Sequence, residues 1–291
     1  MAEEVIGLIG GSGLGDALAK KIRDVRFRDV KTPYGRPSDR FMLGKIGKRR
    51  VAFINRHGRG HKLSPSEVPY AANIFALKKL GVRTVIATCA VGSLRQSIRP
   101  GELVIVDQFI DKTFRRQSSF FNGFAAVHTE MAEPVCGRLG RIIAEAAGKL
   151  DVRTHLKGTY VGMEGPMFST RAESLMHRKW GADLVGMTGM PEAKLAREAQ
   201  MCYALVALVS DYDCWRPQKK RRDKQELLRE IIGNLQRASE NCLKLIEAIL
   251  ANRHEIVCEE CDCRRSLGLA VWTDKKEITA TEKRKVAVLF E

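Results

Sequence analysis

Asp211 and Asp213 stand where the apolar run Tyr203-Ala204-Leu205-Val206-Ala207-Leu208-Val209 stops, in the stretch Ser210-Asp211-Tyr212-Asp213-Cys214-Trp215. The run has the length and β-branched content of a buried strand. In an extended chain, residues two apart point to the same side. Both carboxylates would then face one place at a strand end, where α/β proteins hold ligands. A carboxylate accepts hydrogen bonds and donates only when protonated. The pair therefore asks for a ligand rich in N–H groups, a cation, or a group awaiting a proton.

Three other strand ends carry chemistry suited to an anion. Ile9-Gly10-Gly11-Ser12-Gly13-Leu14 is a glycine loop directly after a strand. Such loops expose backbone N–H groups to an anion, or serve as plain tight turns. Neither dinucleotide nor P-loop spacing is present. Arg56-His57-Gly58-Arg59-Gly60-His61 follows a second strand and offers a planar guanidinium fork with a further donor in His57. His57 and His61 are four apart, yet the glycines between them argue against a helical metal motif. Thr88-Cys89-Ala90-Val91-Gly92-Ser93 is the third loop, with small and hydroxyl side chains. Gly162 to Thr170 adds Glu164, a candidate for sugar hydroxyls or for backbone, and Phe168, a candidate to stack on a flat ring or to fill a turn.

The elements that must position these residues alternate. Strands are expected at Val5-Ile9, Val51-Ile54, Thr84-Thr88, Leu103-Val106 and Tyr203-Val209. Helices are expected from about Ser66 to Leu80, Pro134 to Leu150, Pro191 to Gln200 and Asp223 to Leu250. The last places Leu227, Leu228, Ile231, Ile232, Leu235, Ala238, Cys242, Leu245, Ile246 and Ile249 on one face. Alternation predicts an α/β fold, a central mixed β-sheet flanked by helices. Residues 1–250 read as one domain and 251–291 as a polar, cysteine-bearing tail with a short helix near Ser266.

At 291 residues the chain can bury a full core. No run is long enough for a membrane helix. The formal charge is +16, but the runs Lys219-Lys220-Arg221-Arg222 and Lys283-Arg284-Lys285 read as solvated faces. No nucleic-acid motif accompanies them, which disfavours nucleic acid as a partner. Cys89, Cys136, Cys202, Cys214 and Cys242 read as reduced core residues, and the lack of a secretion signal predicts a cytoplasmic protein.

Taken in order, the motifs resemble the 5'-methylthioadenosine phosphorylases of the trimeric purine nucleoside phosphorylase superfamily. The resemblance spans roughly residues 5 to 250. It rests on the loops above and on Thr32-Pro33-Tyr34-Gly35, Gly92-Ser93-Leu94, Asp107-Gln108-Phe109-Ile110-Asp111, Met131-Ala132-Glu133-Pro134, Glu164-Gly165-Pro166 and Arg171-Ala172-Glu173-Ser174. It implies phosphorolysis: phosphate attacks C1' of a nucleoside and the purine leaves, with no metal or organic cofactor. It implies that Ser12, Arg56, His57, Cys89, Ala90 and Thr188 hold phosphate. Met187 would pack at the ribose, Phe168 and Ser169 would border the base, and Asp211 and Asp213 would read its edge. Ser169 and Lys224 are expected to bear on specificity. Partners would be a purine nucleoside, phosphate and further copies of the chain in a homotrimer or hexamer, with His128 in a segment that reaches a neighbour's 5' site.

The residues suit that chemistry. An oxocarbenium-like transition state is stabilised by phosphate, and the purine leaves more readily once N7 is protonated. Asp211 is the expected general acid, contributing on the order of 10²–10⁴ in rate. A carboxylate there favours a 6-amino over a 6-oxo purine. The alternatives are a methylthioinosine or 6-oxopurine phosphorylase, and a non-catalytic nucleotide- or nucleic-acid-binding relative.

The sequence departs from the family pattern at Cys89, where many relatives carry Thr, and at Met167, where Arg is frequent. It also departs in the basic stretch Arg216 to Lys224, where a 5' pocket would be apolar. Leu227 or Leu228 would have to supply that lining, or the 5' preference has changed. In the tail, Cys261-Asp262-Cys263 reads as a redox pair, as a zinc site with Cys258 and His254, or as idle thiols.

Overall fold

The computed structural model describes residues 4–11, 14–217, 223–251 and 256–291. The first strand, β1 (Ile6–Gly10), is buried along its whole length, as expected of a parallel strand covered on both faces. After α1 (Gly15–Ala19) come β2 (Arg23–Arg28), β3 (Phe41–Ile46) and β4 (Arg49–Asn55). These form an antiparallel ribbon whose last strand pairs in parallel with β1. Sequence reading misses β2, whose six residues are all exposed and mostly charged, with only Val25 and Phe27 to mark a strand.

Helix α2 (Tyr70–Lys79) leads into β5 (Thr84–Ser93). The helix begins later than expected from Ser66 because Pro69 is its N-cap, and the residue before a proline is disfavoured in helical conformation. It stops as expected before Gly81, which has φ +81°. Strand β5 is the branch point of the sheet. Its first half lies between β1 and β11 (Cys202–Asp211), parallel to both, and its end pairs antiparallel with β10 (Leu184–Gly186). β6 (Leu103–Val106) flanks β11 and carries β8 (Thr154–His155). β7 (Gln108–Asp111) and β9 (Thr159–Gly162) extend the β10 side. The sheet is therefore mixed, with eleven strands among the described residues, and its mixed character is as the alternation of elements predicts.

Helices α3 (Gly137–Ala147), α4 (Arg171–Lys179), α5 (Glu192–Glu198) and α6 (Lys224–Ala251) complete the body. In α6 the predicted stripe is buried only from Ala238 onward. Leu228 and Ile232 are more than half exposed.

The tail forms a short 3₁₀ turn (Asp262–Arg265), then α7 (Ala280–Val286) and a second 3₁₀ turn (Ala287–Phe290). It is not polar throughout. Leu267, Ala270, Val286 and Leu289 join the core on the α2 side, and Ile256 and Cys263 join the core on the α6 side. These apolar residues are spaced without helical or strand period, which hides their burial in the sequence. Among the described residues no helix is long and apolar enough to cross a membrane.

Candidate active site

The ends of β4, β5, β10 and β11 open onto one cleft of about 720 Å³. It is lined by Gly11, Arg56, His57, Cys89, Ala90, Phe168, Ser169, Met187, Thr188, Asp211 and Asp213, among others. Sequence reading named all of these but Gly11 as ligand-binding. Ser12 lies outside the described residues. His128 and Lys224 do not line the cleft.

At the anion end, Arg56 has no exposed surface. Its Nε and Nη2 donate to the two oxygens of Glu192 at 2.8 and 2.9 Å, and Nη1 donates to the carbonyl of Thr88 at 2.7 Å. The guanidinium fork is therefore turned to Glu192, and only the N–H groups left over can serve an anion. Burial opposes the charge on Arg56, but Glu192 more than offsets this and holds the cation. Glu192 accepts a further bond from the Tyr203 hydroxyl at 2.8 Å. Gly11 must be glycine, since a Cβ there would lie 2.9 Å from the carbonyl oxygen of Thr88 and 3.0 Å from Nη1 of Arg56.

His57 differs from its expected role as a donor. Its Nδ1 lies 2.8 Å from the Leu63 carbonyl, which can only accept, so Nδ1 carries the ring proton in the neutral form. Burial, then the charge on Arg56, lowers its pKa to about 4. At neutral pH the ring is uncharged and Nε2 is an acceptor. The N–H groups of Thr188 and Gly189 donate to the buried Tyr160 hydroxyl at 3.0 and 3.2 Å, which fixes the loop that carries Met187 and Thr188.

At the other end the chain does not stay extended. β11 shifts register against β5 between Val209 and Asp211, and Asp213 sits at φ +50°, in the left-handed region that aspartate tolerates better than most residues. The turn still brings both carboxylates to the cleft. Asp211 accepts from the Ser210 hydroxyl at 2.6 Å and from the Asp213 N–H at 2.7 Å. Oδ2 of Asp213 is buried and makes no well-formed hydrogen bond among the described residues. Burial raises the pKa of both groups, with Asp211 adding to the rise at Asp213. Gly92 makes room for the pair, since a Cβ there would lie 3.1 Å from Cβ of Asp213 and 3.2 Å from Oδ1 of Asp211.

Between the ends, Phe168 is a largely exposed rim residue and Ser169 lies beside it, bonded to the Met163 sulfur at 3.6 Å. Glu164 serves its own chain: it accepts from the hydroxyl of Ser66, from the Phe114 N–H at 2.8 Å and from Arg116 at 3.3 Å. Ile231 and Leu235 of α6 supply apolar lining, one to two turns beyond the leucines expected to do so. Arg216 lies over the Tyr212 ring at 3.3 Å, and Lys219–Arg222 fall outside the described residues.

The model of the phosphorylase superfamily matches residues 5–251. The S-methyl-5'-thioadenosine phosphorylase of Koribacter versatilis is 43% identical over 98% of this chain and 95% of its own. That of Cereibacter sphaeroides is 52% identical over 73% of each chain. A solved methylthioadenosine phosphorylase from an Antarctic soil metagenomic library superimposes with a TM-score of 0.88 at 42% identity, covering 99% of this chain and 100% of that one. The chain belongs to the methylthioadenosine phosphorylase family of the phosphorylase superfamily. A Schistosoma mansoni methylthioadenosine phosphorylase, solved with adenine, matches at TM-score 0.77 and 35% identity over 85% of this chain and 91% of its own.

Sequence reading missed Glu192, Tyr160 and Arg116 in this family member. Glu192 is 136 residues from Arg56, and no local pattern links them. Arg116, nearly buried, donates to the carbonyls of Met187 and Met190 as well as to Glu164. A long basic side chain in a polar loop gives no sign of burial.

Proposed function

We propose that this protein cleaves S-methyl-5'-thioadenosine with inorganic phosphate, giving adenine and 5-methylthioribose 1-phosphate. The observation that carries the reading is one cleft with an anion cradle at one end and, at the other, two carboxyls whose pKa values burial raises. Phosphate sits against Gly11, Cys89, Ala90, Thr188 and the remaining N–H groups of Arg56. Neutral His57 accepts from the phosphate hydroxyl of the hydrogen phosphate dianion. A phosphate oxygen then attacks C1' as the N-glycosidic bond breaks.

Asp211, protonated, donates to N7, so adenine leaves neutral. Asp213 accepts from the 6-amino group, which a 6-oxo purine lacks. A buried site built for a donor rejects a ligand without one by roughly 10⁴-fold or more. Met187 packs at the ribose, Phe168 and Ser169 border the base, and Ile231 and Leu235 cover the 5'-methylthio group. No organic cofactor or catalytic metal is required. His128 serving a neighbour's site, assembly as a homotrimer or hexamer, and a cytoplasmic location rest on the family resemblance.

The test is release of free base from methylthioadenosine, adenosine, methylthioinosine and inosine, each with and without phosphate. Phosphate-dependent adenine release, fastest from methylthioadenosine, is the expected result. Faster hypoxanthine release overturns the roles given to the aspartates. No phosphate-dependent release from any substrate overturns the enzyme reading.

A further inference from the structure

Four cysteines from distant parts of the chain converge at the start of β11, the end opposite Asp211. Cys136 is the N-cap of α3, Cys202 opens β11, and Cys261 and Cys263 flank Asp262 in the tail. Their sulfurs all lie within 4.8 Å of one another, and those of Cys136 and Cys261 are 3.7 Å apart. A tetrahedral zinc with bonds of about 2.3 Å has sulfur–sulfur edges of about 3.8 Å. A disulfide would need the sulfurs at about 2.05 Å. Multi-iron clusters spread their thiolates over several metal centres and do not fit so small a group.

The surroundings suit four thiolates around one dication, a unit of net charge −2. The Leu139 N–H donates to Cys136 Sγ at 3.4 Å, from the first turn of α3. Arg197 donates to Cys263 Sγ at 3.5 Å. Arg138 is within hydrogen-bonding reach of Cys202 and Cys261 and is itself fixed by the Ile256 carbonyl at 2.7 Å. Two guanidinium groups and a helix N-terminus thus face the sulfurs, as second-sphere donors do around bound metal. Cys136, Cys202 and Cys263 are buried and Cys261 is half-buried, which leaves no open coordination position of the kind a catalytic zinc keeps.

We propose that Cys136, Cys202, Cys261 and Cys263 bind one zinc ion as a closed structural tetrathiolate that fastens the tail to the body. Each thiol gives up its proton to solvent as the ion binds. The ligand set differs from the one the tail suggests by itself: Cys258 is not in the cluster, and His254 lies outside the described residues.

The ion would also order a segment beyond its own ligands. Past Cys263, the tail pairs with residues 126–128. Val271 bridges Val127, the His128 N–H donates to Ala270 at 2.8 Å, and the Trp272 N–H donates to Ala126 at 3.0 Å. His128 packs on the Trp272 ring at 4.9 Å. Releasing the tail would free this segment.

The test uses the full chain, expressed with zinc and purified anaerobically under reducing conditions without chelator. Elemental analysis is expected to give about one zinc per chain. Replacement by cobalt should give thiolate-to-cobalt charge-transfer bands and the intense visible bands of a tetrahedral site. A C261S/C263S double variant should lose metal and bands, while C258S keeps both. A chelator should lower the melting temperature and open Cys261 and Cys263 to alkylation. If the double variant does not fold, the cobalt titration and alkylation map of the unaltered protein decide the matter. Reduced protein that binds neither zinc nor cobalt overturns the proposal. So does a peptide map showing these cysteines paired as disulfides in metal-free protein.

Discussion

At the anion end of the cleft, Arg56 is fully buried, but Glu192 and the Thr88 carbonyl meet it on three N–H groups. At the purine end, Asp211 and Asp213 are partly buried with no salt bridge among the described residues. The first arrangement is finished before ligand arrives and keeps its charges. The second has no counterion among the described residues, and burial raises the pKa of both carboxyls. A buried carboxylate held by a cation is scaffold, and one without a counterion is reagent. Breaking each end should therefore give a different kind of failure.

The largest effect is expected at the unfinished end. Asp211→Asn keeps the shape and removes the acid, so kcat should fall by on the order of 10²–10⁴ with the KM for phosphate little changed. Steady-state kinetics check this. An equal change in phosphate KM would show that the two ends are not separable.

At the finished end, Glu192→Gln leaves the Arg56 charge buried without its counterion. The cost should be about 3–5 kcal/mol of folding stability, read from urea denaturation. A double variant in which Met replaces both Arg56 and Glu192 should recover most of that stability and still bind phosphate poorly.

Glu198, on the same helix as Glu192, sharpens the contrast. It is buried, accepts from the Phe120 N–H at 2.7 Å, and burial raises its pKa from 4.5 to about 7. The folded state thus holds a proton that the unfolded chain has released. That stabilisation is complete below pH 4.5 and is lost as pH rises to about 7, by at most about 3 kcal/mol. Glu198→Gln should flatten this stretch of the stability–pH curve, measured by melts between pH 4.5 and 8.

The smallest effect belongs to the apolar cover. Ile231→Ala with Leu235→Ala should lower kcat/KM for methylthioadenosine relative to adenosine by about 10-fold. An equal loss on both substrates would mean that α6 does not read the 5' group.

The strand-end positions of Arg56 and Asp211 could be read from the chain, because a buried strand followed by glycine, hydroxyl or acidic residues is a local pattern, whereas Cys89, read as part of a loop from Thr88 to Ser93, lies inside β5, which runs on to Ser93. The α/β class followed from the same alternation. What could not be read was pairing across the fold. Nothing near Arg56 points to Glu192, and nothing near Cys261 points to Cys136 or Cys202. The tail's burial was hidden for a related reason, since Leu267, Val286 and Leu289 are set by contact with the body and follow no local period. His57 was identified as a site residue but given the wrong hydrogen-bonding sense, because its tautomer is fixed by a carbonyl six residues away.

Strand β5 reaches both ends of the cleft, carrying Cys89 and Ala90 at the anion end and Gly92 against the aspartates. It acts as a ruler. Three residue steps of strand lead from Cys89 to Gly92, a span of about 10 Å at roughly 3.3 Å per residue. The gap between nucleophile and acid is thus set in whole rungs of backbone that side-chain motion cannot adjust. Inserting one residue between those marks would lengthen the gap by a full rung, and no compensating side chain could serve both ends at once.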